Sequence, residues 1–320
     1  CKKELMNEYC QWLFEILFDF EKKIDITDEK KMVALSDGTE RTVYRIKAVR
    51  DFGDVKAGQL GGWIEKESNL SHDGNCFVYD EAVVCDDAKI SQSAIVKDSA
   101  VIMNNAKIGD YASVMDRAIV RDNAVIQNYA QVQDEALVAG NSVVEDRATI
   151  KGMSFVNEEA KISGSAIVMD DAVVKGSAIV RDKSVISGNA KIEGKSIVQD
   201  YVQIGENAMV RDNAWIKGNT MIKSNAIVEG EVSLKGNVEI VNDEIIDSQH
   251  FMDVKERIGI RIAKVRNHRG LSTRQLAEKS GISFANIGKL ERGTYNISIE
   301  ILDKLCEQLG LEIQLVEIKK

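Results

Sequence analysis

Residues able to do acid–base or nucleophilic chemistry are sparse in this 320-residue chain. Its three histidines, His72, His250 and His268, leave the stretch from Asp73 to Gln249 without an imidazole. The five cysteines (Cys1, Cys10, Cys76, Cys85, Cys306) are scattered and form no CxxC pair, so their spacing implies neither a zinc site nor a disulfide framework. What is concentrated is charge. Asp253 to Lys320 hold 13 Lys+Arg against 9 Asp+Glu, a balance of +4, which leaves −13 on the preceding residues of a chain whose net charge is −9. A basic segment following an acidic body selects an anionic partner at the C-terminal end.

The composition, 44% hydrophobic and 29% charged, excludes a disordered tail. No run approaches 18 apolar residues and no secretory leader is visible, so a cytoplasmic protein without membrane partners is expected. Cys1 in place of methionine is read as the continuation of a longer reading frame. Proline is absent, so other residues must make the turns.

The elements that position these residues begin with a repeat. A small residue recurs every six positions from Ala82 to Val238, and two residues after it comes an aliphatic one. All 28 such slots from Val78 to Ile240 are Val, Ile or Leu, and two positions further on Gly, Asp or Asn fills 24 of 28. These three residue types tolerate φ > 0, which a tight corner needs. The surface Asp and Asn residues occur singly, where turn geometry explains them without a metal. Outward residues such as Lys97 and Asn128 are expected to be replaceable at little cost.

This pattern resembles the hexapeptide-repeat left-handed β-helix, in which three hexads make one triangular coil with the β-branched slots stacked inside. Some nine coils imply a body on the order of 45 Å long. The preceding stretch YRIKAVRDFGDVKAGQLGGWIEKESNLS (Tyr44 to Ser71) resembles the opening of phage and prophage hexapeptide-repeat proteins, which implies that Trp63, after Gly61 and Gly62, plugs the open end. Acyltransferases of this fold use a histidine general base and a loop that interrupts the coils, and neither occurs here. No catalytic residue and no cofactor is therefore expected.

After Ile240 the register is read as ending, and a polar link leads into helical periodicity through Ile258, Arg261, Ile262 and Val265. LSTRQLAEKSGISFANIGKLERG (Leu271 to Gly293) resembles the Cro/repressor helix-turn-helix along its whole length, and the resemblance implies double-stranded DNA as the partner. Ser272 or Thr273 caps the second helix, Ala277 is small at the crossing, Gly281 takes the turn, and Ile287 and Leu290 face the core. Carried over by position, Arg266 pairs structurally with Glu291. Ser283, Phe284, Ala285 and Lys289 face the major groove, with Lys289 toward guanine and Phe284 toward a thymine methyl. Thr273, Gln275, Asn286, Arg292 and Tyr295 take phosphate positions. Gly288 inside the recognition helix costs ~1 kcal/mol of propensity and marks either close approach of a partner or decay of function. LEIQLVEI (Leu311 to Ile318) resembles the strand that follows the last helix in DNA-binding antitoxins and implies a homodimer or higher homo-oligomer.

KKELMNEYCQWLFEILFDFEKKIDI (Lys2 to Ile26) reads as an amphipathic helix with Trp12, Leu13, Ile16, Leu17 and Phe20 on one side. It resembles a segment of capsular-polysaccharide glycosyltransferases, which implies a fusion remnant, and Met32 and Met252 then stand near the starts of formerly independent proteins. The fold class expected is mainly β: a single-stranded left-handed β-helix with an N-terminal helix and a C-terminal all-α helix-turn-helix domain. Its parts are the helix (1–31), a cap (32–69), the β-helix (70–240), a linker (241–252) and the DNA-binding domain with its strand (253–320). A sequence-specific, phage-like transcriptional regulator is the function expected, ahead of a structural β-helix protein with an accessory DNA-binding head and an acyltransferase. The register itself is testable: Ile126→Ala is expected to cost about 2 to 5 kcal/mol by opening a cavity between coils. An unchanged denaturant midpoint would show that Ile126 does not point inward.

Overall fold

A computed structural model describes residues 22–35, 38–247 and 254–313, together with Met6, Asn7 and Cys10. The chain divides into two compact units, Cys1–Ile245 and Ile246–Lys320.

In the first unit a two-residue strand recurs every six residues, from Phe77–Val78 to Glu239–Ile240, and Ile245–Ile246 at the boundary continues the series. Strands inside the series pair in parallel with those 18 residues before and after them, as Ser113–Val114 does with Ile95–Val96 and Gln131–Val132. Three sheets of thirteen, ten and nine strands result, visited in turn along the chain. The second residue of each strand points inward: Ile102, Ile108, Ile126 and Ile150 are all fully buried, as are the small residues before each strand, Ala118, Ala124 and Ala130 among them. Each such aliphatic side chain contributes on the order of 1.5–3 kcal/mol of hydrophobic stabilisation.

Corners follow the strands with the same regularity. Every sixth residue from Asp80 to Gly236 has φ between 53° and 92°, including eighteen that are not glycine. Aspartate and asparagine do more there than tolerate the left-handed region. The Asp80 carboxylate accepts from the backbone N–H of Asp98 (3.3 Å), Asp98 from Asp116 (3.2 Å), Asp116 from Asp134 (3.1 Å) and Asp134 from Gly152 (2.9 Å). Each corner side chain thus satisfies the amide of the equivalent corner one coil on. Asn128, expected to be dispensable, belongs to such a ladder: its amide groups donate to Asp110, and its Oδ1 accepts from Asp146 N–H at 3.1 Å.

The repeat is capped by β1 (Ile24–Ala34) and β2 (Glu40–Ala48), an antiparallel hairpin that joins the thirteen-stranded sheet through β3 (Leu60–Ile64). Three expectations are corrected here. Most of the helix expected over Lys2 to Ile26 lies outside the described residues, but Ile24 and Ile26 are in β1, paired with Ala48 and Ile46. Buried Ile24 holds this end of the strand against the cap. A division between residues 31 and 32 would cut β1, because Met32 pairs with Thr42. The linker expected from residue 241 begins later: Ile245–Ile246 adds one more strand, with Ile246 buried and Ile227 N–H donating to Glu244 at 2.8 Å. An exposed glutamate in the usual small-residue slot disguised this last repeat.

Trp63 does not plug the prism. It pairs with the outward residue Val83, while Ile64 takes the inward slot beside Val84, because successive strand residues face opposite ways. The hairpin covers the indole, leaving it 5% exposed among Leu35, Val43, Val83, Cys85 and Met103. Its Nε1 donates to Glu81 at 2.9 Å, and Lys31 and Arg45 lie against the ring. Gly61 and Gly62 are required by space: a Cβ at Gly61 would lie 2.6 Å from the Val78 carbonyl oxygen. Hydrogen bonds from Lys31 and Arg45 hold the Glu81 carboxyl down at about 2, so its contribution is present above the ordinary carboxylate range and fades as pH falls toward that value.

The corner ladders generate a discriminating test. Asp116→Gly and Asp116→Ala both remove the acceptor for Asp134 N–H, but only alanine also strains the left-handed corner. Alanine is expected to be the more destabilising by about 1 kcal/mol in urea titrations, and equal midpoints would show that backbone strain does not contribute there.

Candidate nucleic-acid interface

Four helices make up the second unit where it is described: α1 (Val254–His268), α2 (Thr273–Ser280), α3 (Phe284–Glu291) and α4 (Ile299–Gln308). Their buried core is Ile262, Leu276, Ile287, Leu290, Leu305, Cys306 and Leu309. Caps fix the ends of α2 and the start of α3. Ser272 Oγ accepts from Gln275 N–H (3.2 Å) while Gln275 Oε1 accepts from Ser272 N–H (2.8 Å), a reciprocal capping box. Gly281 ends α2 at φ 69°, and Ser283 caps α3 by accepting from Asn286 N–H at 3.3 Å.

A nearly enclosed ion pair ties α1 to the end of α3. Arg266 Nε and Nη2 donate to the two Glu291 oxygens at 2.5 and 3.0 Å, and Nη1 donates to the Leu271 carbonyl at 2.7 Å. The side chains are 10% and 14% exposed. The hydrogen bond to Glu291 raises the guanidinium pKa, so the arginine stays charged. Close packing of α1 on α3 also depends on Gly259, where a Cβ would stand 2.2 Å from the Leu290 carbonyl oxygen. Nothing in the local hexad or helix pattern singled out that glycine.

This frame turns one face of α3 to solvent. Ser283, Phe284, Ala285 and Lys289 are exposed, Phe284 by 52%, and Arg292 follows them at the end of the helix. Thr273, Asn286 and Tyr295 are half-buried, with Asn286 Nδ2 donating to Tyr295 Oη at 3.3 Å. The side chains of Ser283 and Gln275 serve as caps, and so are held in place by the backbone that they bond. At Gly288 a Cβ would meet only Arg292 Nη1, at 3.6 Å, so the missing side chain leaves a notch over which that arginine lies. Arg274, which sequence reasoning passed over, sets its guanidinium 5.6 Å from the centre of the Phe284 ring. Most of the strand expected over Leu311 to Ile318 lies outside the described residues, and Leu311, Glu312 and Ile313 are not in a strand.

The helix-turn-helix family profile matches residues 262–316. Control protein C.SmaI from Serratia marcescens is 36% identical over 63 residues, which cover 20% of this chain and 75% of that protein. The chain belongs to the helix-turn-helix family. The uncharacterized acetyltransferase YdcK of Escherichia coli (strain K12) is 38% identical over 66 residues, and the match spans only 20% of each chain. Residues 1–36 match a domain of unknown function, DUF4422, a description that names no glycosyltransferase.

In the first unit, Glu65, Cys85 and Asp86 bring three ligand atoms within 4.8 Å of one another. Both carboxylates have partners already: Glu65 accepts from Asp86 N–H, and Asp86 accepts from Arg41 Nε (2.7 Å) and Asn104 N–H (3.1 Å). His72 is also engaged, with Nε2 3.0 Å from Glu67 and Nδ1 3.4 Å from the Lys23 backbone nitrogen. No described helix is long and apolar enough to cross a membrane.

The ion pair predicts its own disruption. Glu291→Gln leaves an enclosed guanidinium without its counter-charge and is expected to cost the second unit roughly 3 to 5 kcal/mol. Hydrogen exchange in α1 and α3 measures this directly, and wild-type protection in both helices would show that the pair contributes little.

Proposed function

We propose that this protein is a sequence-specific transcriptional regulator whose helix-turn-helix unit binds a palindromic operator as a homodimer. The observation that carries the reading is the α3 face, exposed and bearing Lys289 and Phe284 on a frame locked by two side-chain caps and the Arg266–Glu291 pair. The similarity to a control protein supports it. In this reading Ser283, Phe284, Ala285 and Lys289 meet base edges, and Thr273, Gln275, Asn286, Arg292 and Tyr295 meet the phosphate backbone. The β-helix is a rigid spacer or oligomerisation body, and the protein works in the cytoplasm.

The match to YdcK favours a second reading, in which the β-helix also transfers acetyl groups. The occupied nitrogens of His72 and the uninterrupted hexads weigh against it. Acetyl transfer from a coenzyme A thioester by the purified chain decides between them.

The DNA reading is tested by titrating intact and variant protein with a full palindrome and a single half-site at several salt concentrations. Lys289→Ala is expected to cost roughly 1 to 3 kcal/mol on the cognate site and to relax preference at one base pair. Arg292→Ala is expected to weaken all duplexes alike and to reduce the log–log salt slope by about one. Removing residues 311–320 is expected to weaken binding to the palindrome far more than to the half-site. Equal losses on the two DNAs would eliminate a dimer made by that segment, and an intact protein without sequence preference would eliminate the operator.

A further inference from the structure

Arg274 stands on α2, outside the set of residues assigned to base edges or phosphates, yet it is laid against the most exposed apolar side chain of α3. Its guanidinium carbon is 5.6 Å from the centre of the Phe284 ring, and both side chains are exposed. The Phe284 ring is thus within cation–π range of the guanidinium and offers it an orienting surface. A guanidinium resting on a ring keeps its in-plane N–H groups free at the edge. That edge matches the N7 and O6 acceptors of guanine, the pairing arginine makes most often in the major groove.

We propose that Arg274 and Phe284 act as one reading unit, in which Phe284 packs on a thymine methyl and Arg274 donates to the guanine of the neighbouring base pair, so that each operator half-site carries a thymine–guanine step. The proposal rests on the DNA-binding reading and goes beyond it by naming a specificity residue and the step it selects. The separation of the two groups spans one to two base-pair steps of about 3.4 Å each. Arg274 is therefore positioned for the adjacent base pair rather than the one Phe284 touches. Lysine is not equivalent at this position, because an ammonium has no planar fork to lie on the ring and face two acceptors. Arg292, over the Gly288 notch, serves as the contrasting arginine, since its assigned partner is phosphate.

The experiment enriches a pool of random duplexes on the full-length protein and on the R274A, R274K, F284A and R292A variants. The enriched site is then titrated with single atoms altered in the DNA: 7-deazaguanine in place of the guanine and deoxyuridine in place of the thymine. These DNA changes test the contact without touching the protein's fold. The wild type is expected to enrich a thymine–guanine step and to lose affinity about tenfold or more on the 7-deazaguanine site, whereas R274A and R274K lose the guanine preference and become insensitive to that substitution. F284A is expected to become insensitive to deoxyuridine. A wild-type motif without a thymine–guanine step overturns the proposal. So does an R274A variant that keeps the wild-type motif while binding every duplex more weakly, since Arg274 would then touch phosphate only, and in both cases the DNA-binding reading stands. If the wild type enriches no motif at all, both fall.

Discussion

The first unit depends on a backbone corner in the left-handed region every six residues, repeated without a slip from Asp80 to Gly236. One residue off that period would send an inward isoleucine to the surface and an alanine's neighbour into the interior, because side chains alternate across each two-residue strand. The corner is costly for most L-residues. Aspartate and asparagine offset that cost by accepting the amide of the next coil's corner, so the strained position and its compensation are supplied by one side chain. A left-handed residue that caps a neighbour 18 positions away makes every coil depend on the next, and stacking is thereby cooperative along the unit.

Regularity of that kind extends to the surface of the unit. The outward positions carry ladders of like residues, Asn105 to Asn123 to Asn141 for example, whose hydrogen bonds are spent on each other. Departures from the ladder occur at the cap, where the hairpin buries Trp63 and gathers Lys31, Arg45 and Glu81 around it. There the Glu81 carboxylate accepts from Lys31, Arg45 and Trp63, while Arg45 Nε is buried without a hydrogen-bond partner.

The helix-turn-helix unit solves a different problem with different means. Three short helices of eight to ten residues have little stability alone. Serine caps at Ser272, Ser283 and Ser298 define where each begins, and the Arg266–Glu291 pair holds α1 to the end of α3. The exposed α3 face is the part not consumed by this scaffolding, and Arg274 with Phe284 extends it onto α2.

Whatever depends on local period and residue type could be read from the order of the residues. The hexads, their inward slots, the corner positions, the second-helix cap and the turn glycine were all legible, because each is a rule about residues two to six apart. Features that join residues far apart in sequence could not be read in this way. The 18-residue amide ladders turn Asn128 from a dispensable surface residue into a structural one. The hairpin places Trp63 under a cover rather than inside the prism. Ile24 and Ile26 become strand residues because Ala48 and Ile46 lie opposite them, and Ile245–Ile246 stacks as a last strand although Glu244 breaks the small-residue rule. Gly259 matters only because the Leu290 carbonyl passes it, and Arg274 meets Phe284 only because two capped helices are held at one angle. Local patterns name the elements, but a contact between distant residues exists only once packing has brought them together.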